Sequence, residues 1–120
     1  MIYSKFGNTG KQISKLGFGA ARLPEYKIGN SWHLDRETVN NMVMTAIDLG
    51  INYFDSGDLY CHGLSELAIA ESLSHNGRRN SVYLANKVMP ASLNSENTFR
   101  KNLENQLMKL NQDHFDFYYF

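Results

Sequence analysis

Asp55, Tyr60 and Lys87 are the residues of this chain whose types and spacing suit chemistry. They stand in Asn52-Tyr53-Phe54-Asp55-Ser56-Gly57-Asp58-Leu59-Tyr60 and Leu84-Ala85-Asn86-Lys87. Each falls at or just past the end of an apolar run that reads as a β-strand. A free phenol titrates near pH 10, and a neighbouring cation favours its phenolate form. A Tyr beside a Lys, with an Asp to hold that Lys, is therefore equipment for handing a proton to a carbonyl oxygen. The bland alternative is an Asp–Lys ion pair that only ties two strands, with Tyr60 an ordinary loop residue.

The elements that must position these groups can be read from periodicity. Tyr3 to Phe6 and Gln12 to Ser14 flank Gly7-Asn8-Thr9-Gly10 and predict a small hairpin over 3–14. Leu16-Gly17-Phe18-Gly19 predicts a short strand, and residues 22–34, with Pro24, Gly29 and Asn30, predict a loop. Val39, Met42, Val43, Ala46 and Ile47 recur at helical spacing, with Asp35 as N-cap and Gly50 as stop. Ile51 to Asp55 is the next strand. A weaker helix runs from about Ser65 to Leu73, and Ser81 to Lys87 reads as a buried strand ending before Pro90. Phe99, Leu103, Leu107 and Leu110 mark a third helix capped by Asn94 or Ser95, and the aromatic run Phe115 to Phe120 is a strand.

After the hairpin the order is βαβαβαβ, which argues for a parallel sheet with helical crossovers. Right-handed crossovers between successive strands put every helix on one face. The other face must be covered by a switch in strand order or by closure into a barrel. A closed barrel needs eight strands and about 250 residues, so this chain would be half of one. In such sheets active sites form at the carboxyl ends of the strands, where Asp55 and Lys87 fall.

Bulk properties limit the alternatives. At 120 residues the chain has the length of one domain, with no repeat or linker. An apolar content of 42% and a mean hydropathy of -0.42 describe a globular, water-soluble chain. Twelve basic residues balance twelve acidic ones, leaving no electrostatic reason to expect nucleic acid or an anionic membrane. One cysteine, Cys61, rules out an internal disulfide and suits a reducing compartment. With no membrane-length apolar run and no signal-peptide h-region, a cytoplasmic location is expected.

Other motifs fail on inspection. Gly17-Phe18-Gly19 would need a glycine at Arg22 to bind a dinucleotide in the G-x-G-x-x-G manner, and a loop follows instead of a helix. A phosphate loop at Gly7 to Lys11 would need glycine at Lys5, and Gln12 stands in place of Ser or Thr. Asp55, Asp58, Cys61 and His62 match no zinc spacing and read as solvated loop residues, so no metal is expected. His33, His75 and His114 read as exposed loop histidines, and Met42, Met44 and Met108 as core filler.

The wider context carries a resemblance. Phe6-Gly7-Asn8-Thr9-Gly10, Ser14-Lys15-Leu16-Gly17-Phe18-Gly19 and Arg22-Leu23-Pro24 resemble the opening of aldo-keto reductases. So do Ala46 to Asp55, Gly63-Leu64-Ser65-Glu66, Ala85-Asn86-Lys87 and Asp113 to Phe120, in order and with family-like spacing over the whole chain. The resemblance implies the N-terminal half of a (β/α)8 TIM barrel over residues 1–120: a hairpin at 3–14 closing the barrel bottom, then a half-barrel at 16–120 ending at the fourth strand. It implies NADPH-dependent reduction of aldehydes or ketones without metal. By position Tyr60 would be the proton donor, Lys87 would favour its ionisation, and Asp55 would hold Lys87. Gly19, Ala20 and Asp55 match positions near the nicotinamide half of the cofactor.

The family's fourth catalytic group is a histidine that orients the substrate carbonyl. It comes immediately after the segment matched by Tyr119-Phe120, one residue beyond this chain. Ser56-Gly57 replaces a commoner Thr-Ala, and Asn86 a usual Thr, without removing a catalytic group. The Arg-Leu-Pro arm and aromatic fourth strand resemble a bacterial branch that often adds a C-terminal iron–sulfur domain, whose cluster Cys61 alone could not ligate. Two rival expectations remain: a non-catalytic truncated half-barrel prone to self-association through its bare sheet edges, and a cofactor-binding regulatory protein of the same family.

Overall fold

The computed structural model describes residues 1–89 and 95–120. Pro90, expected to follow the third strand, and the alternative cap Asn94 lie outside the described residues. A four-stranded parallel sheet is built from β3 (Phe18–Gly19), β6 (Tyr53–Asp55), β7 (Tyr83–Lys87) and β8 (Phe117–Tyr119), in that spatial order. Between them run α1 (Arg36–Asp48), α2 (Ser65–His75) and α3 (Glu96–Leu110). Sequential neighbours with helical crossovers are the arrangement that the alternating pattern predicts.

Strand alternation sorts the side chains between two faces. Phe54 and Leu84 point to the helices and join Val39, Val43 and Ala46 of α1 and Ala68, Ile69 and Leu73 of α2 in one buried core. Phe54 is fully buried, and truncating it to Ala would cost about 3–5 kcal/mol. The opposite face carries Tyr53, Tyr83 and Phe117, whose rings touch one another through Phe117. Burial and a hydrogen bond to Tyr119 raise the pKa of the Tyr53 phenol.

Caps follow the sequence. The Asp35 carboxylate accepts from the Thr38 N–H, and Gly50 (φ +89) turns the chain after α1. Ser95 accepts from the Thr98 N–H at the start of α3, and Asn111 ends it in the left-handed conformation. Two strands, β1 (Tyr3–Lys5) and β2 (Gln12–Ser14), form the predicted hairpin. It is tied beneath the sheet: Ser14 N–H donates to Asn52 Oδ1 at 2.8 Å, Asn52 Nδ2 to the Gln12 carbonyl at 2.9 Å, and Tyr3 OH to the Gly50 carbonyl at 2.8 Å. Lys11 lies over the Tyr83 ring at 4.6 Å and pairs with Asp116 at 3.5 Å.

Several expectations are corrected. Residues 22–34 are not all loop: β4 (Glu25–Ile28) and β5 (Ser31–Leu34) pair as a second antiparallel hairpin about Gly29-Asn30. Gly29 takes φ +58, so a two-residue turn flanked by Tyr, Ile and Trp was the overlooked signal. His33 accordingly lies in a strand, stacked on Tyr26, and His75 is the last residue of α2. Met44 packs against the core, but Met42 and Met108 are exposed, because their positions fall at the edge or outside of the buried stripes of α1 and α3. The centre of the α3 stripe is Gln106, a polar residue.

Candidate active site at the carboxyl ends of the strands

Asp55 closes β6 and Lys87 closes β7, but they are not opposite each other. Asp55 is in register with Ala85, and Lys87 lies two positions farther toward the carboxyl end. The lysine stem bends back over Gly57, where an added Cβ would come within 2.8 Å of Lys87 Cγ. Its ammonium then donates to Asp55 Oδ1 at 2.8 Å and to Tyr60 OH at 2.7 Å. The three residues named from the sequence thus form one connected cluster. All three are part-exposed, as a site open to a ligand requires.

The cation between an acid and a phenol sets the electrostatics. Burial by itself would lower the Lys87 pKa, but the hydrogen bonds to Asp55 and Tyr60 and their charges outweigh it. The net shift is upward, so the ammonium stays charged at neutral pH. The Tyr60 hydroxyl oxygen thus accepts a charge-assisted hydrogen bond from the ammonium at 2.7 Å.

Gly19 pairs with Asp55 across β3 and β6, and the Ala20 N–H donates to the Asp55 carbonyl at 2.9 Å. Gly19 is exposed, with open space where a Cβ would stand, while Ala20 is buried. The Ala20 carbonyl accepts from Ser65 Oγ at 2.8 Å, which also bonds Ser56 Oγ at 2.9 Å. These buried hydroxyls hold the backbone of β3 against the loop that leaves β6.

Tyr60 opens a 3-10 turn (Tyr60–Gly63) in which Cys61 and His62 take φ +49 and +58. Left-handed backbone costs a non-glycine residue roughly 1–2 kcal/mol, so outside contacts must hold this turn. Cys61, expected to be solvated, is buried: its sulfur accepts from the Leu23 N–H at 3.3 Å and faces the Ala20 and Ala21 carbonyls. The long-range contacts of β3 and its following arm take the thiol out of water, which local sequence could not show. Among the described residues no group of three His, Cys, Asp or Glu side chains is placed to hold a metal ion.

Behind Lys87 lies a second network that sequence reasoning missed. Glu66 is 2% exposed, accepts from Asn86 Nδ2 at 2.7 Å and Gln106 Nε2 at 3.1 Å, and pairs with Lys109 at 3.2 Å. Tyr118 OH donates to Gln106 Oε1 at 2.6 Å. Burial, then the Glu66 and Asp58 carboxylates, push the Tyr118 phenol up to about 12. The Asn86 Oδ1 has no partner among the described residues. A buried glutamate in the first turn of α2 leaves no periodic trace; only the absence of another reason for a charge within an apolar stripe hints at it.

Known proteins resemble this chain over nearly its whole length. Residues 15–120 match the family model described as the aldo/keto reductase family. Aldo-keto reductase YhdN of Bacillus subtilis is 29% identical over 98% of the chain, and the NADP(+)-designated aldo-keto reductase yakc of Schizosaccharomyces pombe is 33% identical over 96%. The chain spans 37% and 35% of their respective lengths. The holo form of aldo-keto reductase AKR11C1 from Bacillus halodurans superimposes with a TM-score of 0.78 at 28% identity, covering 98% of this chain and 39% of that one. The chain belongs to the aldo/keto reductase family, and its parallel sheet with helices on one face is part of that family's barrel.

Proposed function

We propose that the protein carrying this chain reduces aldehydes or ketones to alcohols with NADPH. The observation that carries the reading is the Lys87 ammonium, 2.8 Å from Asp55 and 2.7 Å from the Tyr60 hydroxyl. Bound beside these residues, NADPH would supply a hydride to the carbonyl carbon. Tyr60 would give its proton to the carbonyl oxygen, Lys87 would stabilise the phenolate left behind, and Asp55 would fix Lys87. The open backbone at Gly19 and the Ala20–Asp55 junction leave room for a flat ring against the strand ends, which fits the nicotinamide half of the cofactor. The NADP(+) designation of the fission-yeast relative supports the choice of cofactor. A small carbonyl compound is the substrate class.

The test is turnover against retained cofactor binding. Tyr60→Phe and Lys87→Met should each lower kcat by on the order of 10²–10⁴-fold while NADPH still titrates with similar affinity. Unchanged kcat in either variant would remove the assigned role. NADPH binding by the wild type without turnover would favour a regulatory protein instead.

A further inference from the structure

The reductase reading leaves the β4–β5 hairpin unused, yet one face of it is docked on the turn that carries Tyr60. Cross-strand partners Glu25 with Leu34 and Lys27 with Trp32 lie on the same face of this ribbon. That face makes all the relevant contacts. Leu34 enters the core, Trp32 stacks on His62 with ring centroids 4.6 Å apart and planes within 9°, and Glu25 lies 3.7 Å from His62 Nε2. The Lys27 ammonium sits 5.6 Å from the Trp32 ring. The opposite face carries the exposed Tyr26 and His33, stacked on each other.

The turn held in this way is the left-handed Cys61–His62 kink immediately after Tyr60. Cys61 is gripped from inside by the Leu23 N–H, and His62 is covered from outside by Trp32. A kink that is unfavourable for both residues relaxes when either grip is lost, and the phenol one residue upstream moves with it.

We propose that Trp32 is a positioning residue for Tyr60: by stacking on His62 it holds the kinked turn so that the phenol oxygen stays within reach of Lys87. This rests on the reductase reading, and it makes the second hairpin part of the catalytic apparatus without contact to the reacting atoms.

The experiment compares wild type, Trp32→Ala, Trp32→Phe and His62→Leu with NADPH and a panel of aromatic and aliphatic aldehydes. Trp32→Ala should lose about tenfold in kcat, the scale of a sub-ångström misplacement, with NADPH affinity within about twofold of wild type. Trp32→Phe keeps a flat ring and should recover most of the loss; a role in stability alone would shift the melting temperature and leave kcat of the folded enzyme unchanged. His62→Leu removes the stacked ring together with its Glu25 contact and should match Trp32→Ala, which decides the matter if Trp32→Ala fails to fold. Wild-type kcat in folded His62→Leu or Trp32→Ala overturns the proposal alone. A wild type that binds NADPH and turns over no aldehyde overturns it together with the reductase reading.

Discussion

Two carboxylates, Asp55 and Glu66, each face a lysine, and they do opposite things. Asp55 is part-exposed and shares Lys87 with a part-exposed phenol. Glu66 is buried, and its oxygens are taken by Asn86, Gln106 and Lys109. A partly solvated pair adds little to stability, because Coulomb attraction there is screened and the side chains lose entropy. A buried acceptor with several donors matters far more, since removing it strands those donors without water. One network is open to solvent; the other is used to hold α2, β7 and α3 together.

That contrast can be broken at its strongest point first. Asp55→Ala should cut kcat by at least about tenfold while changing unfolding free energy by under about 1 kcal/mol. Glu66→Ala should show the reverse emphasis, with about 3 kcal/mol lost in urea unfolding, because Asn86 and Gln106 donors are left buried and unpaired. Equal stability losses in the two variants would abolish the distinction. Tyr118→Phe removes only the donor to Gln106 Oε1 and should cost about 1 kcal/mol by the same measurement.

The smallest effect is one of pH, and its sign follows from Lys87. Its pKa is raised on folding, so the stability it brings is fully present below the ordinary lysine value near 10.4 and is lost as pH rises through the higher folded value. The gap in melting temperature between wild type and Asp55→Asn should therefore stay flat up to about pH 10 and narrow above it. A gap that closes between neutrality and pH 9 would mean that another group holds Asp55.

The same contrast explains what could be read from the chain. Asp55 and Lys87 were visible because they close apolar runs, which announce where strands end, and Tyr60 follows on the loop after the first of them. The α1 face, the caps at Asp35 and Ser95 and the aromatic fourth strand were legible for similar local reasons. The β4–β5 hairpin was missed because Pro24 and Gly29 masked two short strands whose alternation is carried by Tyr26, Ile28, Trp32 and Leu34. Cys61 and Glu66 were missed because burial in a loop and at a helix start depends on distant segments: Leu23 for one, Gln106 for the other.

The sequence by itself determined the alternation of strands and helices, and with it a parallel sheet whose carboxyl ends carry an acid, a phenol and an ammonium. Tertiary structure alone decided that Lys87 reaches back two positions over Gly57 to touch both Asp55 and Tyr60. It also decided that Glu66 is buried behind the lysine and that Trp32 covers His62 beside the phenol. Hydrophobic period and capping are properties of neighbours along the chain, whereas register, burial and close approach are set by residues tens of positions apart.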